Sequence, residues 1–126
     1  MIKRIDHVEI TTGDMEKTLR FYTGVLGFKV KERMKMDRPP LQEIVFITLN
    51  DSMIEILAAK DPVPLSTAPW QVSYRMMALE VDDMDRTLAY LKTKGVEPSR
   101  PPMAIGKSKR AEIKDPNGLS IELRQW

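Results

Sequence analysis

The feature that most limits what this chain can fold into is that its plan is written twice. Setting His7 against Met76 also sets Asp14 against Asp83, Met15 against Met84, Thr18 against Thr87 and Leu19 against Leu88, four identities without a gap. Further on, Ile54-Glu55-Ile56 meets Ile121-Glu122-Leu123. A duplication of this length requires each copy to bury its apolar face with the same order of elements.

That order reads β-α-β-β-β. In the first copy Ile5 to Ile10 is a strand, and Thr12-Gly13-Asp14 supplies a turn and a helix N-cap. Met15, Leu19, Tyr22 and Leu26 recur at helical spacing, so a helix is predicted over Met15 to Leu26, closed by Gly27. Phe28 to Met36 alternates large and charged residues, Arg38-Pro39-Pro40 interrupts it, and Leu41 to Leu49 is a strongly β-prone run. Asn50-Asp51-Ser52 turns the chain into a last strand over Met53 to Leu57. Pro62, Pro64 and Pro69 then break any periodicity in a connector where Trp70 is expected to act as a packing plug. The second copy repeats the plan from Met76, with a helix capped by Asp83 and ending at Gly95, and its last strand follows the turn Asp115-Pro116-Asn117-Gly118. The fold class is therefore α+β. Two tandem βαβββ modules are expected to pair into a cupped, barrel-like sheet with the helices outside. The single domain 1–126 divides into module one at 1–58, a connector at 59–73 and module two at 74–126.

Composition narrows the class of function. A chain of 126 residues that is 42% hydrophobic and 30% charged has the balance of a globular domain, and no apolar run spans a bilayer. The net charge of +2 arises from 20 basic and 18 acidic residues mixed along the chain, and aromatics make up only 6%. Neither a nucleic-acid surface nor a base-stacking platform is expected from that. With no cysteine, disulfides and thiolate chemistry are excluded. The N-terminus has a basic pair without a following apolar segment, so the expected location is cytoplasmic.

Strand alternation divides the ionisable groups between two faces. Val8, Ile10, Ile54, Ile56, Met77, Leu79, Ile121 and Leu123 fall on the helix side; His7, Glu9, Glu55, Met76, Ala78, Glu80, Glu122 and Arg124 fall on the other. Imidazole and carboxylate groups brought together from separate strands are competent ligands for a divalent ion. The same groups also suit a solvated face or an ion pair. Arg100, Lys107, Lys109 and Arg110 fit either a charged hairpin tip or an anion site, and Glu43 is compatible with either face of its strand.

Several stretches carry a resemblance to a known family: Asp6-His7-Val8, Asp14 to Tyr22 running into Val25-Leu26-Gly27-Phe28, Ile54-Glu55-Ile56-Leu57, Ala78 to Asp83, and Asp115 to Leu123. In these the chain resembles the vicinal oxygen chelate superfamily, which includes glyoxalases, bleomycin resistance proteins and extradiol dioxygenases. The family hosts several reactions, so the likeness is specific for fold and not for chemistry. It implies one metal ligand from the first and last strand of each module, here His7, Glu55, Met76 and Glu122. Met76 departs from the pattern, because a thioether is a weak ligand for the ions this family uses.

Two readings follow from the resemblance. In one, His7, Glu55 and Glu122 hold a divalent ion and the chain is a lyase or isomerase that moves a proton next to a carbonyl. Glu122 is then the catalytic base, and Arg124 orients a substrate carboxylate. In the other, Met76 lines an apolar pocket of a metal-free small-molecule binding protein. Both imply a small-molecule partner, no organic cofactor and a homodimer.

Overall fold

A computed structural model describes residues 1–126. Ten elements follow in the order β1 (Val8–Thr12), α1 (Met15–Gly24), β2 (Lys29–Arg38), β3 (Leu41–Leu49), β4 (Ser52–Ala59), β5 (Met77–Glu80), α2 (Met84–Thr93), β6 (Arg100–Ile105), β7 (Ser108–Lys114) and β8 (Ser120–Gln125). The chain divides into two units, Met1–Pro64 and Leu65–Trp126. Each holds one helix and one open four-stranded mixed sheet, ordered β1-β4-β3-β2 in the first and β5-β8-β7-β6 in the second. The fold is α+β, and both units follow the βαβββ plan. Neither helix is long and apolar enough to cross a membrane.

The duplication extends to register. Parallel pairing sets Val8 opposite Ile54 and Glu9 opposite Glu55 in the first sheet. In the second it sets Met77 opposite Ile121 and Ala78 opposite Glu122. Both helices start in the same way. Asp14 Oδ1 accepts from the Lys17 amide at 3.0 Å, and Asp83 Oδ1 accepts from the Arg86 amide at 2.9 Å, satisfying donors that the first turn leaves free. Beyond the helices, Gly27 (φ 84°) and Gly95 (φ 75°) take the left-handed conformation that lets the chain turn back toward the sheet.

The core of each unit lies between its helix and one sheet face. In the first, Tyr22, Val45, Ile47 and Ile56 are fully buried, with Ile10, Leu19, Phe28 and Ile54 nearly so. In the second, Met84, Ile113 and Ile121 are fully buried, with Leu91, Ala111 and Leu123 close behind. Alternation thus placed most helix-side residues correctly. Val8, at the start of the edge strand β1, is 44% exposed despite its parity. Trp70 is a correction: its side chain is 87% exposed, and the Arg75 guanidinium stacks over its ring at 4.6 Å instead of a packed core. Proline-rich chain between Lys60 and Met76 forms no helix or strand that would carry the indole inward.

Glu43 also finds its face here. It shares the parity of Val45 and Ile47 and lies on the helix side, where Arg33 donates to its two oxygens at 2.9 and 3.2 Å. Arg33 also donates to Glu16 on α1 at 2.8 Å, and Lys35 lies 3.3 Å from Glu43. The Arg33 hydrogen bond holds the Glu43 carboxyl below its ordinary value of 4.5, against the opposing effect of burial. A carboxyl with a lowered folded-state pKa gives stability that is present above pH 4.5 and lost as the pH falls through the folded-state value. Arg33→Met is expected to destabilise the fold by about 2 kcal/mol at pH 7. That figure is discounted because Lys35 remains and the Arg33 side chain is 39% exposed. Urea unfolding of both proteins should show the difference shrinking below pH 4.5, where the wild type loses the same pair.

Candidate functional site

The face of the first sheet opposite α1 gathers the donors. His7, just before β1, points its ring at Glu55 in the middle of β4. Its Nε2 lies 3.0 Å from Glu55 Oε2 and 3.7 Å from Glu9 Oε1. Behind it, Nδ1 donates to Asp6 Oδ2 at 2.9 Å, since a carboxylate can only accept. Phe46, opposite Glu55 on β3, meets the imidazole edge-on with ring centres 5.8 Å apart. His7, Glu9 and Glu55 each offer a ligand atom, and these atoms all lie within 4.8 Å of one another.

The electrostatics of this group are those of a cation site. Both nitrogens of His7 face carboxylates, so a positive charge is favoured between them, and without a metal that charge is a proton. The imidazole pKa is accordingly raised above 6.5, first by the Asp6 hydrogen bond and next among the raising effects by the Glu55 charge. Asp6 is lowered by the same hydrogen bond. Glu55 is pushed up, mainly by burial and then by its like-charged neighbour Glu9. An ion accepting from imidazole, Glu9 and Glu55 would relieve the repulsion between the two glutamates, and a one-histidine, two-carboxylate set suits manganese, iron, nickel or zinc. The residues present therefore fit a divalent ion.

Asp6 stands where a carboxylate would orient His7 if the imidazole held an ion. Its side chain is 64% exposed, so the effect of its loss should lie at the lower end of the usual range. Asp6→Asn is expected to weaken divalent-ion affinity about tenfold, measured by competition with a chromophoric chelator. No change in affinity would contradict the role.

The second sheet repeats the geometry with different chemistry. Met76, half-buried, stands where His7 stands, and Ala78 stands where Glu9 stands, so of the three donors only Glu122 remains. Glu122 Oε1 accepts from Arg124 Nε at 2.7 Å and lies 2.6 Å from Arg124 Nη2, and Oε2 lies 2.9 Å from Arg110 Nη2. Register pairs Glu122 with Glu112 and Arg124 with Arg110, whereas the corresponding first-sheet pairs are Glu55 with Phe46 and Leu57 with Ile44. Of the candidate residues, then, the first sheet brings His7 and Glu55 together and adds Glu9. Glu122 and Arg124 form an ion pair on the second. Glu9 was placed on this face by alternation but not singled out as a candidate. Glu112 was missed altogether and Arg110 was left between two readings. Extending the period-two reading to β7 finds both.

A family model described as the Glyoxalase/Bleomycin resistance protein/Dioxygenase superfamily matches residues 4–123. The chain belongs to this superfamily. Among relatives of this glyoxalase-type chain, the protein YwkD of Bacillus subtilis (strain 168) is 32% identical over 127 residues, covering 98% of this chain and 97% of YwkD. A probable lactoylglutathione lyase of Vibrio parahaemolyticus is 30% identical over 130 residues, covering 97% of this chain and 90% of the lyase. The crystal structure of a glyoxalase family protein from Enterococcus faecalis superposes with a TM-score of 0.88 at 25% identity, covering 97% of each chain.

Proposed function

We propose that this protein is a metal-assisted lyase or isomerase that moves a proton next to the carbonyl of a small molecule. The observation that carries this reading is the set His7, Glu9 and Glu55, whose ligand atoms lie within 4.8 Å of one another. A lyase relative matched over most of both chains supports the reaction class. Its ligand set differs from the one the resemblance implied: Glu9 joins His7 and Glu55, while Glu122, paired with Arg110 and Arg124, is not among the ligands.

When bound, the ion would supply Lewis acidity that polarises the substrate carbonyl and makes the adjacent C–H more acidic. The chain's own residues do the rest. Asp6 keeps Nδ1 of His7 protonated and turns Nε2 toward the glutamates. Glu122 keeps the proton-carrying role that its family position gives it, and it has to release one of its two guanidinium partners to act. Arg124 is suited to hold a substrate carboxylate, and Met76 offers a flexible apolar contact. A small-molecule substrate, a homodimer and a cytoplasmic location belong to the same proposal.

The test is metal analysis of protein purified without chelator, followed by stripping and reloading while isomerisation of a thiol–2-oxoaldehyde adduct is followed. Near-stoichiometric metal and activity that returns only on reloading are expected. A metal-free protein with no response to added ions would contradict the proposal. The arginines engaging Glu122, together with Met76, favour a second reading as a metal-free binding protein. That reading expects thermal stabilisation by an organic ligand that chelators do not reverse.

A further inference from the structure

An asparagine followed by glycine is chemically labile, because no side chain hinders attack of the glycine nitrogen on the asparagine amide. The chain holds one such pair, Asn117-Gly118, in the turn between β7 and β8. The turn calls for glycine there, since Gly118 takes the left-handed conformation at φ 85°. The fold ties both reacting groups to one residue. Gly118 N donates to the Asp115 carbonyl oxygen at 3.0 Å, and Asn117 Nδ2 donates to Asp115 Oδ2 at 3.3 Å. Asp115 Oδ1 also accepts from the Asn117 amide at 2.8 Å and the Leu119 amide at 2.9 Å. Asp115 itself is only 5% exposed, and its own amide donates to the Leu119 carbonyl oxygen at 2.9 Å.

We propose that Asn117 is a deamidation site gated by Asp115, and that its conversion irreversibly loosens the β7–β8 hairpin. The Gly118 nitrogen gives up its proton and bonds to Asn117 Cγ, while the Cγ–Nδ2 bond breaks and ammonia leaves with that proton. Water then opens the cyclic imide to an aspartyl or isoaspartyl residue, so nothing beyond water is consumed. To react, Gly118 must break its bond to Asp115, and the Asn117 side chain must turn away from the Asp115 carboxylate. The rate therefore follows opening of the turn. An isoaspartyl product adds an atom to the backbone at the base of β8, and it replaces a donor to Asp115 with a second carboxylate. That disturbance falls next to the pairing of Lys114 with Ser120 and of Ile113 with Ile121, both isoleucines fully buried.

The test incubates the full chain in mildly alkaline buffer, folded or in guanidinium chloride, and follows Asn117 by peptide mapping. None of its readouts depends on the proposed reaction. The folded chain should convert more than about tenfold more slowly than the unfolded chain, because several hydrogen bonds must open together. Asp115→Ala should close most of that gap while circular dichroism still reports a folded protein. The isoaspartyl fraction, separated by ion exchange and refolded, should unfold about 4 °C below unconverted protein. Asn117→Ser, taken through the same treatment, should show no such loss. If Asp115→Ala does not fold, the guanidinium comparison and the converted fraction decide the matter. Equal rates in folded and unfolded chain, no acceleration in folded Asp115→Ala, or an isoaspartyl fraction as stable as the parent would each overturn the proposal.

Discussion

His7→Ala is expected to lower affinity for manganese or nickel by more than about 100-fold, since loss of a ligand should exceed the 10–100-fold typical of losing an orienting partner. The imidazole is the only nitrogen donor in the set, and the chain has no other histidine to replace it. Removing it leaves Glu9 and Glu55 as two carboxylates that repel each other and hold an ion weakly. The change should be specific to the site, because His7 is not among the core residues and its ring meets Phe46 on the sheet face opposite α1. Thermal unfolding separates the effects. A wild-type protein held at about 100 times its dissociation constant for the ion gains about 2.7 kcal/mol, and the variant should lose nearly all of that gain. Its unfolding in chelator should stay close to that of the wild type. Proton and metal compete for the same imidazole, whose pKa is raised above 6.5. Metal affinity should therefore weaken as the pH falls through that raised value.

Glu122→Gln is expected to lower kcat by about 10²–10⁴ while leaving metal content unchanged, the range associated with removing a positioned acid–base group. Glu55→Gln is the informative comparison. Glu55 is a proposed ligand in the first-sheet set and its carboxyl is pushed up by burial and by Glu9, so it is the rival proton carrier. If Glu122 carries the proton, its variant keeps metal and loses turnover, whereas Glu55→Gln loses metal first. A Glu122→Gln enzyme with unimpaired kcat would transfer the role to the first sheet. The amide also weakens the pairs with Arg110 and Arg124, so unfolding should be measured alongside.

The fold was legible because the local signals agreed with one another. The capping aspartates Asp14 and Asp83, the turn glycines Gly27 and Gly95 and the matched strands Ile54–Ile56 and Ile121–Leu123 each fix an element without tertiary information. The site was legible only in part, since ligand geometry depends on cross-strand register. Parity placed Glu9 beside His7, but only the pairing of Glu9 with Glu55 shows that a third donor enters the first-sheet set. Likewise Glu112 went unnoticed, and Arg110 fitted either a hairpin tip or an anion site, until β7 was aligned on β8. Trp70 failed for the opposite reason. Its size predicts burial, but the proline-rich connector has no regular backbone to direct the ring into a core.

The claim on which the rest depends is that the ion belongs to the first module. The most direct measurement is anomalous scattering from crystals grown with manganese. The expected result is a single strong peak bonded to His7 Nε2, with oxygen ligands from Glu9 and Glu55. A peak that excludes Glu9, or none at saturating manganese, would contradict it.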